Sequence, residues 1–496
     1  MPNLLAGWLA FTASAIIGFV MPRLILGNVG QDLLGLWDLC WSFLTFISFA
    51  GIGTGSAVSH LTVKADAHGN AAVAREVIST GFYLQLLIGI LLSSIVYWVI
   101  QWLPTMDLSS HHASEQIYLL GLYVAGTVMV AILGEIPHGI LLSKHQLRQS
   151  EYLNIAHDVS LAFSMIATLS FGGGIVGLAL VTLIVRCVFE AIRFGLAFTQ
   201  TPLDALNPQR MSRERAVHML RFSFKSSLYG LQELVVYQTI RVSFFLAMGP
   251  AVFAAFSRYS TLARQINRLI DRLVTPIPIL TSDYSSQGNA KEIRDVYLYG
   301  LRGIWMVALP TLGLLGVFGD QIVLLWMGEN FVVPNLAWVF CVACMLHSHY
   351  SMSAKILRGI NAHGSISALC LLASTICLIS LVLTNYPLTA TSAAWSIALS
   401  MILCVHIPHV VFCWRKLEIQ VLGNILTTYV KPLLINVIFL MILVQIEDEL
   451  TLSNWTLVVV YGATGLLTLG LGYWYLAFDS RMREKFRGFL LSSEVA

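Results

Sequence analysis

Long apolar stretches separated by short polar ones set the pattern of this chain. Stretches long enough for a helix to cross a bilayer, about 20 residues, fall at 4–26, 33–58, 77–103, 117–141, 153–171, 175–199 and 222–248. They continue at 251–279, 298–318, 335–356, 366–384, 390–413, 427–446 and 455–478. The pattern predicts an all-α integral membrane protein of about 14 transmembrane helices, in which charges interrupt spans 1, 7 and 8. Composition agrees. Of 496 residues, 57% are hydrophobic and 11% charged, with a mean hydropathy of +0.76, where a soluble domain carries about 25% charge. A soluble enzyme is thereby excluded, and a net charge of +3 gives no footing for nucleic acid. The eight Cys lie scattered in apolar stretches and define no disulfide framework.

Orientation follows from the loops, because Lys and Arg resist translocation and collect on the cytoplasmic side. Loops 60–76, 142–152, 186–221, 282–296, 355–364, 414–431 and 479–496 hold 21 of the 29 basic residues. The intervening loops 27–32, 104–116, 172–174, 249–250, 319–334, 385–389 and 447–454 hold none and carry eight carboxylates. Both termini are therefore expected in the cytoplasm, which requires an even number of spans. Ala13-Ser14-Ala15 resembles a signal-peptidase site, but no Lys or Arg precedes Arg23, so 4–26 reads as the first span.

Two cytoplasmic loops carry nearly the same text. Gly69-Asn70-Ala71, Arg75-Glu76-Val77 and Gly81 match Gly288-Asn289-Ala290, Arg294-Asp295-Val296 and Gly300, every pair offset by 219 residues. The copies fall where span 2 meets span 3 and where span 8 meets span 9. A period of six spans makes the halves parallel, related by an axis along the membrane normal. The expected organisation is an N-terminal six-helix bundle and linker at 1–221 and a second six-helix bundle at 222–413. Two extra helices and a cytoplasmic tail at 414–496 complete it.

Eight bases remain at membrane depth: Arg23, Lys225, Arg241, Arg258, Arg264, Arg268, Arg272 and Arg302. Each costs about 2.5–3.5 kcal/mol at a lipid-facing helix centre, so a cavity or a partner is expected for each. At 100° per residue, Arg258, Arg264, Arg268, Arg272 and Asp271 share about 140° of span 8. Span 7 repeats the stripe with Lys225, Tyr229, Glu233, Tyr237 and Arg241. A cavity lined by these cations calls for an anionic substrate, and phosphate or pyrophosphate suits the guanidinium fork. The competing reading lays span 8 along the interface with its Arg on lipid headgroups, and lets Arg23, Arg272 and Lys225 snorkel from helix ends. Five acids also lie at depth: Asp38, Glu135, Asp158, Glu233 and Asp271. Asp271 and Glu233 are expected to neutralise neighbouring bases; any of the five is a candidate for carrying a proton or sodium ion.

Three motifs are read as packing. Cys341-x-x-Cys344 with His347 and His349 lies inside an apolar span with no second cysteine pair, and no metal is expected. Gly51-Ile-Gly-Thr-Gly55 ends a transmembrane helix with no strand before it, which suits small-residue helix packing. His406 and His409 flank Pro408 within span 12.

Pro22-Arg23-Leu24 with Gly30, Gly35-Leu36-Trp37 and Gly51-Ile52-Gly53 resemble the opening of Wzx-type polysaccharide flippases. Tyr237-Gln238-Thr239 with Arg241, Pro276 before Leu280-Thr281, Trp326-Met327-Gly328 and Leu357-Arg358-Gly359-Ile360 are similar to later landmarks of that family. Ile240 stands where an acidic residue is expected before the Arg, and Ala13-Ser14 where an asparagine is frequent. The resemblance implies the multidrug/oligosaccharidyl-lipid/polysaccharide exporter fold, two six-helix bundles plus two helices. It implies movement of a lipid-linked oligosaccharide, carried on undecaprenyl pyrophosphate, across the bacterial inner membrane by ion-coupled alternating access. No cofactor is expected beyond a proton or sodium gradient. The expected partners are the substrate, membrane lipids, and a polysaccharide polymerase with its chain-length machinery, the carrier itself being a monomer. The other classes are a multidrug cation antiporter or a peptidoglycan-precursor flippase on the same fold, and a membrane-bound glycan polymerase. The antiporter needs an acidic cavity, and the polymerase a catalytic loop that 104–116 and 319–334 do not provide.

The split of basic residues between loops yields a direct test. Cysteines introduced at Ser110 and Ser453 should react with an impermeant thiol reagent added outside intact cells, and one at Ser212 should not. Labelling at Ser212 reverses the orientation.

Overall fold

The computed structural model describes residues 2–102, 113–144, 146–199, 201–383, 389–419, 430–447 and 455–477, and among them every regular element is helical. The first six helices are α1 (Pro2–Val29), α2 (Gln31–Ala67), α3 (Ala71–Trp102), α4 (Ala113–Ser143), α5 (Leu147–Ser170) and α6 (Gly174–Thr199). Two short 3-10 turns, Leu203–Leu206 and Pro208–Arg210, lead to α7 (Arg213–Leu273) and a short α8 (Ile277–Ser286). Then come α9 (Ala290–Met327), α10 (Leu336–Gly359), α11 (Gly364–Leu383) and α12 (Ala390–Met401). A π-helical segment, Ile402–His406, joins α12 to α13 (Ile407–Leu417), and α14 (Lys431–Glu447) and α15 (Trp455–Gly472) follow.

The expected spans fall on these helices, span 8 running from α7 into α8 and span 12 covering α12, the π-helical segment and α13. Nine described segments are both long and apolar enough to cross a bilayer, counting 44 residues of α7 as one. That helix is two limbs. Gly249 breaks it at φ 80°, ψ 173°, a conformation open to glycine, and Pro250 follows. The part after the break, through Leu273, is long enough at 1.5 Å per residue for a bilayer of about 30 Å. The ends of spans 3, 11, 13 and 14, and the loops 103–112, 384–388, 420–429, 448–454 and 478–496, lie outside the described residues.

One expectation is corrected. Arg186 and Arg193, assigned to a cytoplasmic loop at 186–221, lie inside α6, which runs to Thr199. They belong with the charges at membrane depth. The loop pattern misplaced them because a window of apolar residues ending at 199 and a loop opening at 186 overlap.

The repeated text is also a repeated shape. Gly69 and Gly288 both adopt left-handed backbone, at φ 66° and 69°. In each copy the next residue is an asparagine whose side chain caps the following helix: Val73 N–H donates to Asn70 Oδ1 at 3.2 Å, and Glu292 N–H to Asn289 Oδ1 at 3.4 Å. Helices α3 and α9 thus begin at the same place in the two copies. Their arginines reach different carboxylates, Arg75 to Asp204 at 3.5 Å and Arg294 to Glu418 at 3.1 Å.

The chain divides into two compact units, Met1–Leu231 and Gln232–Ala496. In the first, α4 is the central helix, packed by α2, α3 and α6, while α1 lies on α5. A buried apolar cluster joins Val58 of α2, Val77 and Ile78 of α3, Ile136 and Ile140 of α4, and Met219 at the start of α7. Between apolar helices in lipid the attraction is close packing and not expulsion from water, so such interlocking carries the stability. In the second unit, α10 packs against α8, α9, α12 and α13. The two extra helices attach through α9. Leu443 of α14 joins Val317 and Phe318, and Asn436 of α14 hydrogen-bonds Tyr473 beyond α15.

Candidate functional site

Two antiparallel limbs build the cationic site of the second unit. Arg241 and Ser257 each lie eight residues from Gly249, and Arg241 Nη2 donates to Ser257 Oγ at 3.3 Å. The break therefore folds α7 into a hairpin. Arg241 Nη1 also donates to Ser260 Oγ at 2.9 Å and to Tyr237 OH at 3.3 Å. Its guanidinium stands 5.0 Å from the Phe253 ring and 5.4 Å from that of Tyr237. Only 2% of Arg241 is exposed. The hydroxyls and ring faces hold the fork in place.

Arg264 meets the same tyrosine from the other limb, its guanidinium 5.8 Å from the Tyr237 ring and its Nη2 donating to Thr261 Oγ1 at 3.2 Å. It is half-buried. Among the described residues no carboxylate pairs with it. The two arginines thus meet one aromatic ring from two limbs at membrane depth.

The remaining predicted bases lie elsewhere. Arg258 is buried, its Nε donating to Ala254 O at 3.2 Å and its guanidinium 5.8 Å from Trp326 of α9. Arg268 is exposed and Arg272 half-buried on the same limb. Arg302 is buried in α9, 5.3 Å from the ring of Tyr299. In the first unit Arg23 is exposed on α1. The side chains of Lys225, Tyr229 and Glu233 lie outside the described residues. Two of the short motifs meet: a Cβ on Gly359 would stand 1.9 Å from Thr281 Oγ1, so α10 crosses α8 with backbone against side chain.

The acids correct a second expectation. Asp271 does not contact the arginine ladder. Its carboxylate lies 3.5 Å from His347 Nε2 and accepts from Ser351 Oγ, both on α10. A shared helical face did not decide the partner; the helix packed against it did. Asp158 pairs with neighbouring His157 at 3.0 Å and is half-buried. Asp38 is half-buried in α2, where its backbone carbonyl accepts from Ser42.

Glu135 belongs to a cluster that the loop pattern hid. Arg193 Nη1 donates to both carboxylate oxygens of Glu190, at 2.9 and 3.0 Å, and Nη2 to Asn154 Oδ1 at 2.7 Å. Arg186 Nε lies 3.1 Å from Glu190 Oε1. Glu135 sits in the field of all three charges. Bare backbone makes room for the two acids, since a Cβ on Gly55 would stand 2.9 Å from Glu135 and one on Gly134 2.3 Å from Glu190. This places Gly55 in helix packing. Arg186, Glu190 and Arg193 are spaced i, i+4, i+7, one face of a helix inside an apolar run, and that spacing is the signal that marks them. This cluster sets two acids against two bases, where Arg241 and Arg264 in the second unit meet hydroxyls and rings.

Residues 9–159 match the family model described as MatE. No curated protein matches the sequence. Among solved structures, the chain is similar to the inward-facing conformation of a multidrug resistance MATE family transporter of the MOP superfamily. The TM-score is 0.63 at 16% identity, over 82% of this chain and 94% of that one. The outward-facing conformation of such a transporter gives a TM-score of 0.61 at 16% identity, over 84% and 95%. A MOP superfamily transporter from Pyrococcus furiosus, described by a reverse polarity of its binding pocket that suggests a different function, gives 0.60 at 17%, over 85% and 94%. The fold is that of the MATE transporters.

The Glu190 and Arg193 pair in the first unit is buried on both sides, so breaking it should cost more than removing it. Glu190→Gln leaves the buried guanidinium of Arg193 and the half-buried one of Arg186 without their carboxylate and should cost about 3–5 kcal/mol. Adding Arg193→Gln should recover part of that loss. Thermal unfolding of the two single variants and the double variant in detergent checks this, and strictly additive losses contradict the coupling.

Proposed function

We propose that the protein is a carrier that flips a polyprenyl-pyrophosphate-linked oligosaccharide across the bacterial inner membrane. The lipid tail of such a molecule stays in the bilayer throughout. Its head is polar and polyanionic, and only the head needs shelter from hydrocarbon. The observation that carries the reading is the pair Arg241 and Arg264 around Tyr237, the second with no carboxylate partner among the described residues. A planar fork meets two phosphate oxygens at once, which suits Arg better than Lys for this task.

The short motifs similar to Wzx-type flippases support the same substrate class, three of them lying at Tyr237–Arg241, Trp326 and Gly359. The fold supports a carrier, because similar transporters are known inward-facing and outward-facing. A cationic head-group site then alternates between the two sides as the bundles rock. Asp38, Glu135, Asp158, Glu233 and Asp271 remain the acids through which a proton or sodium gradient drives the cycle. A multidrug cation antiporter on this fold needs the opposite sign of charge at its site.

Arg264→Ala should abolish surface glycan while the protein remains in the membrane at its normal level. Arg264→Lys should keep partial export, since the charge survives and the fork does not. Surface glycan measured by immunoblot at native expression decides it: normal export by the alanine variant contradicts the reading.

A further inference from the structure

Four histidines are buried in the second unit, His347 and His349 on α10, His406 in the π-helical segment and His409 on α13. Two have ordinary core partners. The ring of His349 lies against Tyr297, Trp305 and Trp414, and His409 Nδ1 lies 2.9 Å from Val405 O. His406 differs. It is 2% exposed, and neither ring nitrogen has a hydrogen-bond partner among the described residues. Its ring stacks on Tyr350, centroids 4.9 Å apart, and stands 5.7 Å from the ring of His347. His347 in turn faces the Asp271 carboxylate at 3.5 Å.

The local backbone explains how His406 comes to be there. Pro408 lacks an N–H and crowds the carbonyl four residues before it, and a widened π turn relieves both. Such turns gather at functional sites. An imidazole buried with both nitrogens unanswered is a standing cost that a phenylalanine of similar shape would avoid. The cost is explained if the ring has a ligand in another state of the cycle.

We propose that Asp271, His347 and His406 form a proton site, and that the proton is the coupling ion of the carrier described above, on which this inference rests. The donor set selects the ion. Sodium wants several oxygen ligands, as hard cations do, whereas two imidazoles beside one carboxylate offer nitrogen lone pairs. One proton forms one N–H bond on an imidazole, with Asp271 as its counter-charge. It passes between the rings by breaking that bond as another forms on the second ring, through one water or a ring rotation. Release regenerates the neutral pair, and no other bond changes.

The groups facing the site are Lys355 near Asp271, Tyr350 from α10, His409 with Cys370 of α11, Cys404 beside Cys370, and His363 near His409. Asp271 lies seven residues from Arg264 on one helix, about 10 Å along its axis. A proton gained there favours an anion at Arg264, and by reciprocity the anion favours the proton.

The test uses the full chain, labelled with 15N-histidine and held in nanodiscs, with imidazole nitrogen shifts compared between about pH 8 and about pH 5.5. His406→Gln and His347→Gln assign the signals. Should either variant fail to fold, contacts to labelled tyrosine rings assign His406 in the wild-type protein. At least one of the two rings should pass from neutral to imidazolium over this range, and Asp271→Asn should displace the transition by roughly half a pH unit or more. Both rings neutral at pH 5.5 in folded protein, or a transition that ignores Asp271→Asn, overturns the site. No glycan enters this measurement. Neutral rings therefore sink the proton site alone, and normal export by Arg264→Ala sinks the carrier reading alone.

Discussion

A guanidinium at membrane depth has to be answered by something, and the way this chain answers each of its own organises the whole molecule. Hydrocarbon gives no solvation, so a base there finds a carboxylate, a ring face, a hydroxyl or a substrate. The first unit uses carboxylates. Glu190 holds Arg186 and Arg193, and Glu135 lies beside them under the glycine backbone of α2 and α4. The second unit uses rings and hydroxyls. Tyr237, Phe253, Ser257 and Ser260 orient Arg241. That difference separates a structural ion cluster from a site with work left to do.

The backbone features follow the same need. Gly249 and Pro250 fold α7 back on itself, which brings Arg241 and Arg264 to one tyrosine from two limbs. A straight helix would hold them more than 30 Å apart, since 23 residues rise about 35 Å. In the same unit, Pro408 widens the helix at His406, and α10 sets His347 against Asp271. Both sites thus hang on a proline-marked irregularity in a long apolar helix, where backbone geometry departs from the regular turn.

Much of this was legible in the residues. The spacing of apolar runs located every helix that carries a site, because a bilayer fixes their length. The repeated Gly-Asn-Ala marked two equivalent helix starts, since left-handed glycine and capping asparagine each have a local physical cause. The period of spans 7 and 8 marked Arg241 and Arg264, which the hairpin brings to one tyrosine, while Arg258, Arg268 and Arg272 lie elsewhere. What periodicity does not carry is the identity of the neighbour. Asp271 shares a face with the arginines yet pairs with His347, because α10 lies against it. Arg186 and Arg193 were counted as loop residues, because nothing in their own composition separates a helix end from a helix middle. His406 reads as packing in its own segment, because whether its nitrogens find hydrogen-bond partners among the described residues is a property of three helices at once.

The central claim is that this fold moves an anionic lipid head by sheltering it at Arg241 and Arg264. The most direct measurement reconstitutes the purified chain in liposomes that carry a fluorescent polyprenyl-pyrophosphate-linked oligosaccharide in both leaflets. An impermeant quencher added outside reads how much label becomes accessible with time. The account predicts that the inner-leaflet share is exposed in the presence of the protein, and that inorganic pyrophosphate slows the exposure. Label that stays protected, with a lipophilic cation transported by the same vesicles, would contradict it.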